Sequence, residues 1–480
     1  MSRPLILFDL TRLLSASGRS APTGIERVEY AYARWLLSLK SVHVRFVVTM
    51  NSSVRLVADS EVPAFLDKQA RTWARGARGF SAQRAITNVN HFLKGSGGPP
   101  APRLGYLSRE ERLQRRETSG PAADKKPRPF ASWAQQMAAN WAREPLAPLL
   151  QKWARRRPVI YLRASLDRME RPASIERIKA FAGVKMVTLC HDIIPLDFPE
   201  FVRPNAAKLC AARVETMARH ADGIIVSSRY SAHRLAPHLQ PHRPKVLVAH
   251  IGMDTPPAPT TELPDLVEAP YFLVISTIEA RKNHLLLLNL WRRLVDDIGP
   301  DAPKLIIAGK RGWEAQTPIA MLDRGDQISN AVYEAGAVPD NALDLLRRNA
   351  TAVLMPSFVE GFGMPVAEAL AVDTPVIASD IPVFRETAGS AAELIDPLDG
   401  PAWREAILDY AAPDSPRRAA ALARAKAYTP PTWDAYFDSV HAFLEQVIGE
   451  PAPSFTERAR RALGHVALDG ADVSPAPQKL

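Results

Sequence analysis

The chain has 480 residues, a formal net charge of +10, 46% apolar residues and only two cysteines. Such a length exceeds what one hydrophobic core normally serves, so two domains are expected. The cysteine count excludes a disulfide framework or a zinc cluster: Cys190 and Cys210 stand in apolar or helical text and read as buried thiols of a reducing compartment.

The positive balance asks for an anionic partner without choosing among nucleic acid, phospholipid headgroups and nucleotide diphosphates. Pro4 to Asp9 is too short for the apolar core of a signal peptide and reads as a first strand. No stretch approaches the ~20 apolar residues that span a bilayer, so a cytoplasmic chain is expected.

After this strand a loop runs to Thr23-Gly24-Ile25, and Val28, Tyr32, Trp35, Leu36 and Leu39 follow at helical spacing. Val42 to Met50 is the next strand, so the chain opens a parallel α/β sheet. From about 70 to 157 the text turns rich in Arg, Pro, Gly and Trp and reads as an insertion, partly helical. Strand text resumes at Val159, Met186, Gly223 and Lys245, passes a proline-rich linker near Pro256, and starts again at Tyr271, Lys304, Ala352 and Pro375.

The expected division is a Rossmann-like domain over 1–257 carrying the insertion, and a second over 265–430. A helix over 431–448 is expected to pack back on the first domain, followed by a tail over 450–480. Two doubly wound units imply a ligand cleft between them.

The most informative stretch is Pro356-Ser357-Phe358-Val359-Glu360-Gly361-Phe362-Gly363-Met364-Pro365-Val366-Ala367-Glu368, running from a strand end into a helix. Gly361 and Gly363 allow close backbone approach, and the helix start offers amides and a positive dipole end to a pyrophosphate. Two carboxylates there suit sugar and ribose hydroxyls, unless the glycines merely turn the chain and the glutamates are solvated. Thr277-Ile278-Glu279-Ala280-Arg281-Lys282-Asn283 places two cations after the first strand of the second domain. Arg281 and Lys282 can neutralise donor phosphates and stabilise a leaving diphosphate; a solvated pair is the bland alternative.

His191 and Asp192 close a strand of the first domain, serving either the cleft or the fold, with Asp192 able to orient the ring or to hydrogen-bond acceptor hydroxyls. At Thr23-Gly24-Ile25 the residues themselves read as a capped helix start, with Thr23 as cap and Glu26 in the first turn.

These motifs jointly resemble the family 4 retaining glycosyltransferases. Glu360 and Glu368 match the family's Glu-x7-Glu signature and Arg281-Lys282 its basic pair, with similar text at Gly309-Lys310-Arg311-Gly312-Trp313, at Glu334 to Asp340 and after Arg385. The likeness is good over about 185–445, weaker over 1–50 and absent from the insertion. Asp373 replaces a usual glycine, and Ser276-Thr277 replaces an arginine often found after the strand.

The resemblance implies a GT-B fold, two Rossmann-like domains facing across a cleft, with the acceptor on the first and the donor on the second. The family assigns the donor sugar to Glu360 and the ribose to Glu368, and brings His191 near the reacting carbon. Residues expected at the donor are Gly24, Thr277, Arg281, Lys282, Gly361, Phe362, Gly363 and Glu368. Those expected to act on the reaction are His191, Glu360, Arg281 and Lys282. No cofactor and no metal is expected, a nucleotide-diphosphate sugar being the donor; Glu334 to Asp340 is expected as a loop on its nucleotide side.

The implied reaction moves a hexose, with a GDP-mannose-like donor preferred, to a growing, lipid-linked polysaccharide. In the insertion Lys125, Lys126, Arg128, Arg143, Lys152 and Arg155 to Arg157 interleave with Trp133, Met137, Trp141, Leu146, Leu149, Leu150 and Trp153. This pattern fits peripheral contact with the anionic inner face of the cytoplasmic membrane, or else a core-facing helix with solvated charges. A sugar-nucleotide epimerase of the same fold and a non-enzymatic anionic-polymer-binding protein are the other readings; no nucleic-acid module is recognisable.

Overall fold

Every residue of Leu5–Asp9 (β1) is buried, as a strand covered on both faces must be. The computed structural model describes residues 3–17, 22–50, 53–75, 82–95, 142–253 and 263–449. β1 pairs in parallel with His43–Met50 (β2) on one side and with Val159–Arg163 (β5) on the other. Val184–Cys190 (β6), Gly223–Val226 (β7) and Lys245–Val248 (β8) extend the parallel sheet beyond β5. Ser53–Val57 (β3) and Ala142–Pro145 (β4) add two antiparallel strands beyond β2, giving the order β4-β3-β2-β1-β5-β6-β7-β8.

β3 and β4 are not expected from the sequence, being short and carrying Arg55, Arg143 and Glu144 instead of an apolar run. The far end of the insertion therefore belongs to the first domain's own sheet. Its helix Leu146–Ala154 buries Leu146 and Leu150 in the core and packs Trp153 against it, leaving Lys152 and Arg155 exposed. This stretch turns its apolar side to the first domain's core. Lys125, Lys126, Arg128, Trp133, Met137 and Trp141 lie outside the described residues.

The second sheet comprises Tyr271–Ile275 (β9), Lys304–Ala308 (β10), Val332–Gly336 (β11), Ala352–Met355 (β12), Val376–Ser379 (β13) and Glu393–Ile395 (β14). All are parallel, in the order β11-β10-β9-β12-β13-β14. Alternate residues of β9 feed two cores: Tyr271, Leu273 and Ile275 on one face, Phe272 and Val274 on the other. Winding reverses between β1 and β5 in the first sheet and between β9 and β12 in the second. Ligands of open α/β sheets sit outside the strands' carboxyl ends at such reversals, so the loops after β9 and β12 are the ones to inspect.

Two helices cross between domains. Trp433–Gly449 returns to the first domain, burying Tyr436, Phe437, Val440, Phe443 and Leu444 against its core. Its ring of Phe437 stacks on Trp35 at 4.6 Å, and the hydroxyls of Tyr32 and Tyr436 meet at 2.8 Å. Ala82–Leu93, from the insertion, does the reverse and gives Ala85, Ile86, Val89, Phe92 and Leu93 to the core of the second domain. Phe92 stacks on Tyr333, and the Asn90 amide donates to Asp265 O and accepts from Val267 N, as a neighbouring strand would. Cys190 and Cys210 are free and buried. No described helix is long and apolar enough to cross a membrane.

Candidate active site

The loop after β9 is shaped by backbone bonds. Ile278 N donates to Lys310 O and Gly312 N to Ile278 O, leading into a tight turn over Ala280–Lys282. Asn283, at φ 54°, ends that turn and starts the helix His284–Ile298; asparagine tolerates this left-handed conformation better than most residues. Phe358 N donates to Arg281 O at 2.8 Å, tying this loop to the one after β12.

The tie brings four charges together. Arg281 Nη1 donates to Glu360 Oε2 at 2.7 Å and to Val359 O at 3.1 Å, and its Nε lies 2.7 Å from Glu279 Oε1. Lys282 Nζ donates to Glu360 Oε1. Glu279, Lys282 and Glu360 are 3%, 8% and 5% exposed, so little water screens them. Burial alone would push the Glu360 carboxyl up, but Arg281 and Lys282 overcome it and pull it down to about 2. Burial and the neighbouring Arg281 lower Lys282 against the pull of Glu360. Behind them, burial and Lys282 drive His284 down to about 3, its Nε2 lying 3.2 Å from Ser276 Oγ.

The paired cations are thus not solvated: Glu360 holds both. Thr277 is half-buried, its methyl close to where a Cβ at Gly312 would lie. Glu368, half-buried on helix Met364–Leu370, accepts from Arg347 Nη2 at 2.9 Å.

The glycines correct the sequence reading most. A Cβ at Gly361 would lie 2.7 Å from His191 O and 3.0 Å from Asp192 Cβ, so this glycine admits the first domain, not only a ligand. Its carbonyl accepts from the hydroxyls of Ser227, Ser228 and Ser231, at 3.2, 2.9 and 3.3 Å. Gly363, at φ 85°, is forced by conformation and by Phe384, which a Cβ would strike at 2.4 Å. Phe362 buries its ring in the first domain's core.

Gly24 starts helix Gly24–Ser38 behind a capping box of Thr23 and Glu26, and a Cβ there would lie 3.0 Å from Met364 Sδ across the cleft. Glu386 clasps the domains as well, accepting from the backbone N–H groups of Arg229 and Tyr230 and lying 2.8 Å from His250 Nε2.

His191 is half-buried, and its Nε2 lies 3.0 Å from Ala164 O. Burial lowers its pKa, against the Ala164 bond and the charge of Asp192. Asp192 does not orient the ring; its Oδ1 accepts from Ile194 N and caps the next turn. Glu334 lies in β11, not in a loop, and pairs there with Arg311. Asp340 pairs with Arg27 of the first domain at 2.6 Å. Among the described residues no three His, Cys, Asp or Glu side chains gather as metal ligands.

The sequence offers Ser227-Ser228-Arg229-Tyr230-Ser231 as strand-end text near the cleft with its role open, and assigns no role to Glu386 or Arg347; nothing local says that a carbonyl of the other domain lies opposite the serines.

Residues 263–426 match the family described as glycosyl transferases group 1. The serotype-specific mannosyltransferase WbdA of Escherichia coli is 31% identical over 228 residues, covering 43% of this chain and 27% of that protein. The O-antigen chain mannosyltransferase B of Escherichia coli is 29% identical over 256 residues, 51% of this chain and 67% of that protein. The chain spans about a quarter of the length of WbdA.

Among solved structures, Anabaena HepE in complex with UDP superposes with a TM-score of 0.54 at 15% identity, over 93% of this chain and 100% of that one. Sucrose-phosphate synthase from Thermosynechococcus elongatus gives 0.53 at 14%, over 93% and 99%. At such identities the likeness is one of fold. Residues 263–426 thus resemble the glycosyl transferases group 1 family, within a chain whose two-domain fold is of the GT-B kind.

Proposed function

We propose that the chain is a retaining glycosyltransferase that moves a hexose, mannose by preference, from a nucleotide-diphosphate sugar to a growing, lipid-linked polysaccharide. The observation that carries this reading is the junction of the loops after β9 and β12, where Arg281 and Lys282 meet Glu360 at the winding reversal of the second sheet. Fixed cations in a buried site stabilise charge that develops on a departing diphosphate. Glu360, released from one of its cations, has oxygens for sugar hydroxyls, and Glu368 for the ribose.

In the proposed step the bond from the anomeric carbon to the diphosphate oxygen breaks and one to the acceptor oxygen forms on the same face. The acceptor's proton passes to the leaving diphosphate, with His191 lining the reacting centre. Arg281 and Lys282 supply the counter-charge, so the reaction is proposed to need no metal and to survive a chelator. The mannosyltransferase relatives support the choice of sugar. Neither the epimerase nor the polymer-binding alternative gains support from them. The net charge of +10 suits a site at an anionic membrane surface, and vesicle co-sedimentation with and without residues 121–141 tests that attachment.

Incubation with GDP-mannose, UDP-glucose and related donors, with a lipid-linked acceptor extract and with EDTA, tests the core of the reading. Transfer is expected from one donor, lowered roughly 100-fold by Lys282→Ala or Glu360→Ala. Binding of none of these donors would overturn it.

A further inference from the structure

We infer that binding of the donor diphosphate is coupled to uptake of a proton by Glu279. The inference rests on the donor-site reading above and goes beyond it.

Glu279, Arg281, Lys282 and Glu360 form an ion-paired set of two anions and two cations, with the Asp192 carboxylate a further anion acting on Arg281. A nucleotide sugar brings two further negative charges to it. Glu360 gives each of its oxygens to a cation. Glu279 is held only through Oε1 to Arg281 Nε, while its Oε2 is buried and has no hydrogen-bond partner. Of the two carboxylates it is the one with room for a proton.

Arg281 is also the shared group. A diphosphate drawing its guanidinium away leaves Glu279 3% exposed and without its hydrogen-bonded counter-ion, Lys282 being the cation that remains nearby. A buried carboxylate in that state takes a proton in preference to remaining charged. Burial already holds its pKa above the ordinary value, with Arg281 and Lys282 restraining the rise. The loop packed against its Cβ, at Gly312, adds no counter-charge: Arg311 is occupied by Glu334 and Asp323, and Lys310 is exposed. His284 and His191 are the other nearby titrating groups, and the variants below separate them from Glu279.

Calorimetric titration of the full chain with GDP-mannose and UDP-glucose, whose diphosphates carry no titrating proton near neutrality, reads the effect directly. Repeated at pH 7 in buffers of different ionisation enthalpy, it should show uptake of about one proton per bound donor, with affinity falling by up to about tenfold per unit rise in pH. Glu279→Gln should bind without uptake and with a flat pH profile, whereas Glu279→Asp, which keeps a titrating carboxyl, should restore both. Binding without uptake in the wild type, or uptake unchanged in Glu279→Gln, would overturn the inference alone. Failure of the wild type to bind either donor would remove the donor site and the inference with it.

Discussion

Arg347 holds Glu368 by one oxygen, Nη2 to Oε2 at 2.9 Å, and holds Asp344 of its own helix with Nη1 at 3.4 Å. The arginine side chain is almost wholly buried, so its hold on Glu368 is weakly screened. It fixes the carboxylate that is proposed to read the ribose. Arg347→Gln is expected to raise the donor KM roughly tenfold with a smaller change in kcat, since losing one charge-assisted bond costs about 1.5 kcal/mol. Steady-state kinetics against donor concentration check this; an unchanged KM would show that Glu368 is oriented without Arg347.

Gly361→Ala should act as a wedge. Its Cβ would press on His191 O and Asp192 Cβ, both backbone or near-backbone atoms that cannot swing aside. The domains must part by some tenths of an ångström, pulling the Gly361 carbonyl from its three serine hydroxyls. Because misplacement on that scale across a reacting centre is costly, activity is expected to fall about 100-fold with the fold intact. Transfer assays beside circular dichroism separate this from unfolding.

His284 sets an acid limit on stability. Its folded pKa of about 3 lies below the ordinary 6.5, so above pH 6.5 the ring is neutral in both folded and unfolded chains. As pH falls below 6.5 the unfolded ring takes a proton that the folded one refuses. Stability therefore declines down to about pH 3, by an amount on the order of 5 kcal/mol. His284→Gln should flatten the decline in melting temperature over that range relative to wild type. Parallel slopes for the two proteins would count against the assignment.

Phe92 ties an N-terminal segment to the second domain, stacking on Tyr333 beneath Lys304. Phe92→Ala is expected to cost about 3 kcal/mol, the usual loss for a buried aromatic ring. The loss should appear in the second domain's transition, read by hydrogen exchange at β10 and β11. A loss confined to the first domain would contradict the packing.

Long parallel strands were legible because both faces are covered, so Leu5–Asp9, Tyr271–Ile275 and Ala352–Met355 stand out as apolar runs. The strands β3, β4, β11 and β14 were not, since Arg55, Glu144, Glu334 and Glu393 interrupt their apolar text. At the site, Arg281, Lys282 and Glu360 are found from sequence because they follow strand ends.

Their mutual pairing is not readable, nor is the meeting of Gly361 with Ser227, 134 positions away. Periodicity reports which side of an element is apolar; it carries no record of what lies opposite. The packing of Phe362 is hidden for the same reason: beside two glycines it looks like part of a ligand loop only, but its ring lies in the core of the other domain.

The helix Ala82–Leu93 also limits how this protein can be recombined. Families of two-lobed enzymes invite chimeras cut once at the junction between lobes, here within 254–262. Such a cut would hand over the second lobe without the piece that seals it, leaving Tyr271, Ala335 and Leu346 short of their cover. A working exchange must transplant two separate stretches of chain, so the halves of this molecule have to be inherited together.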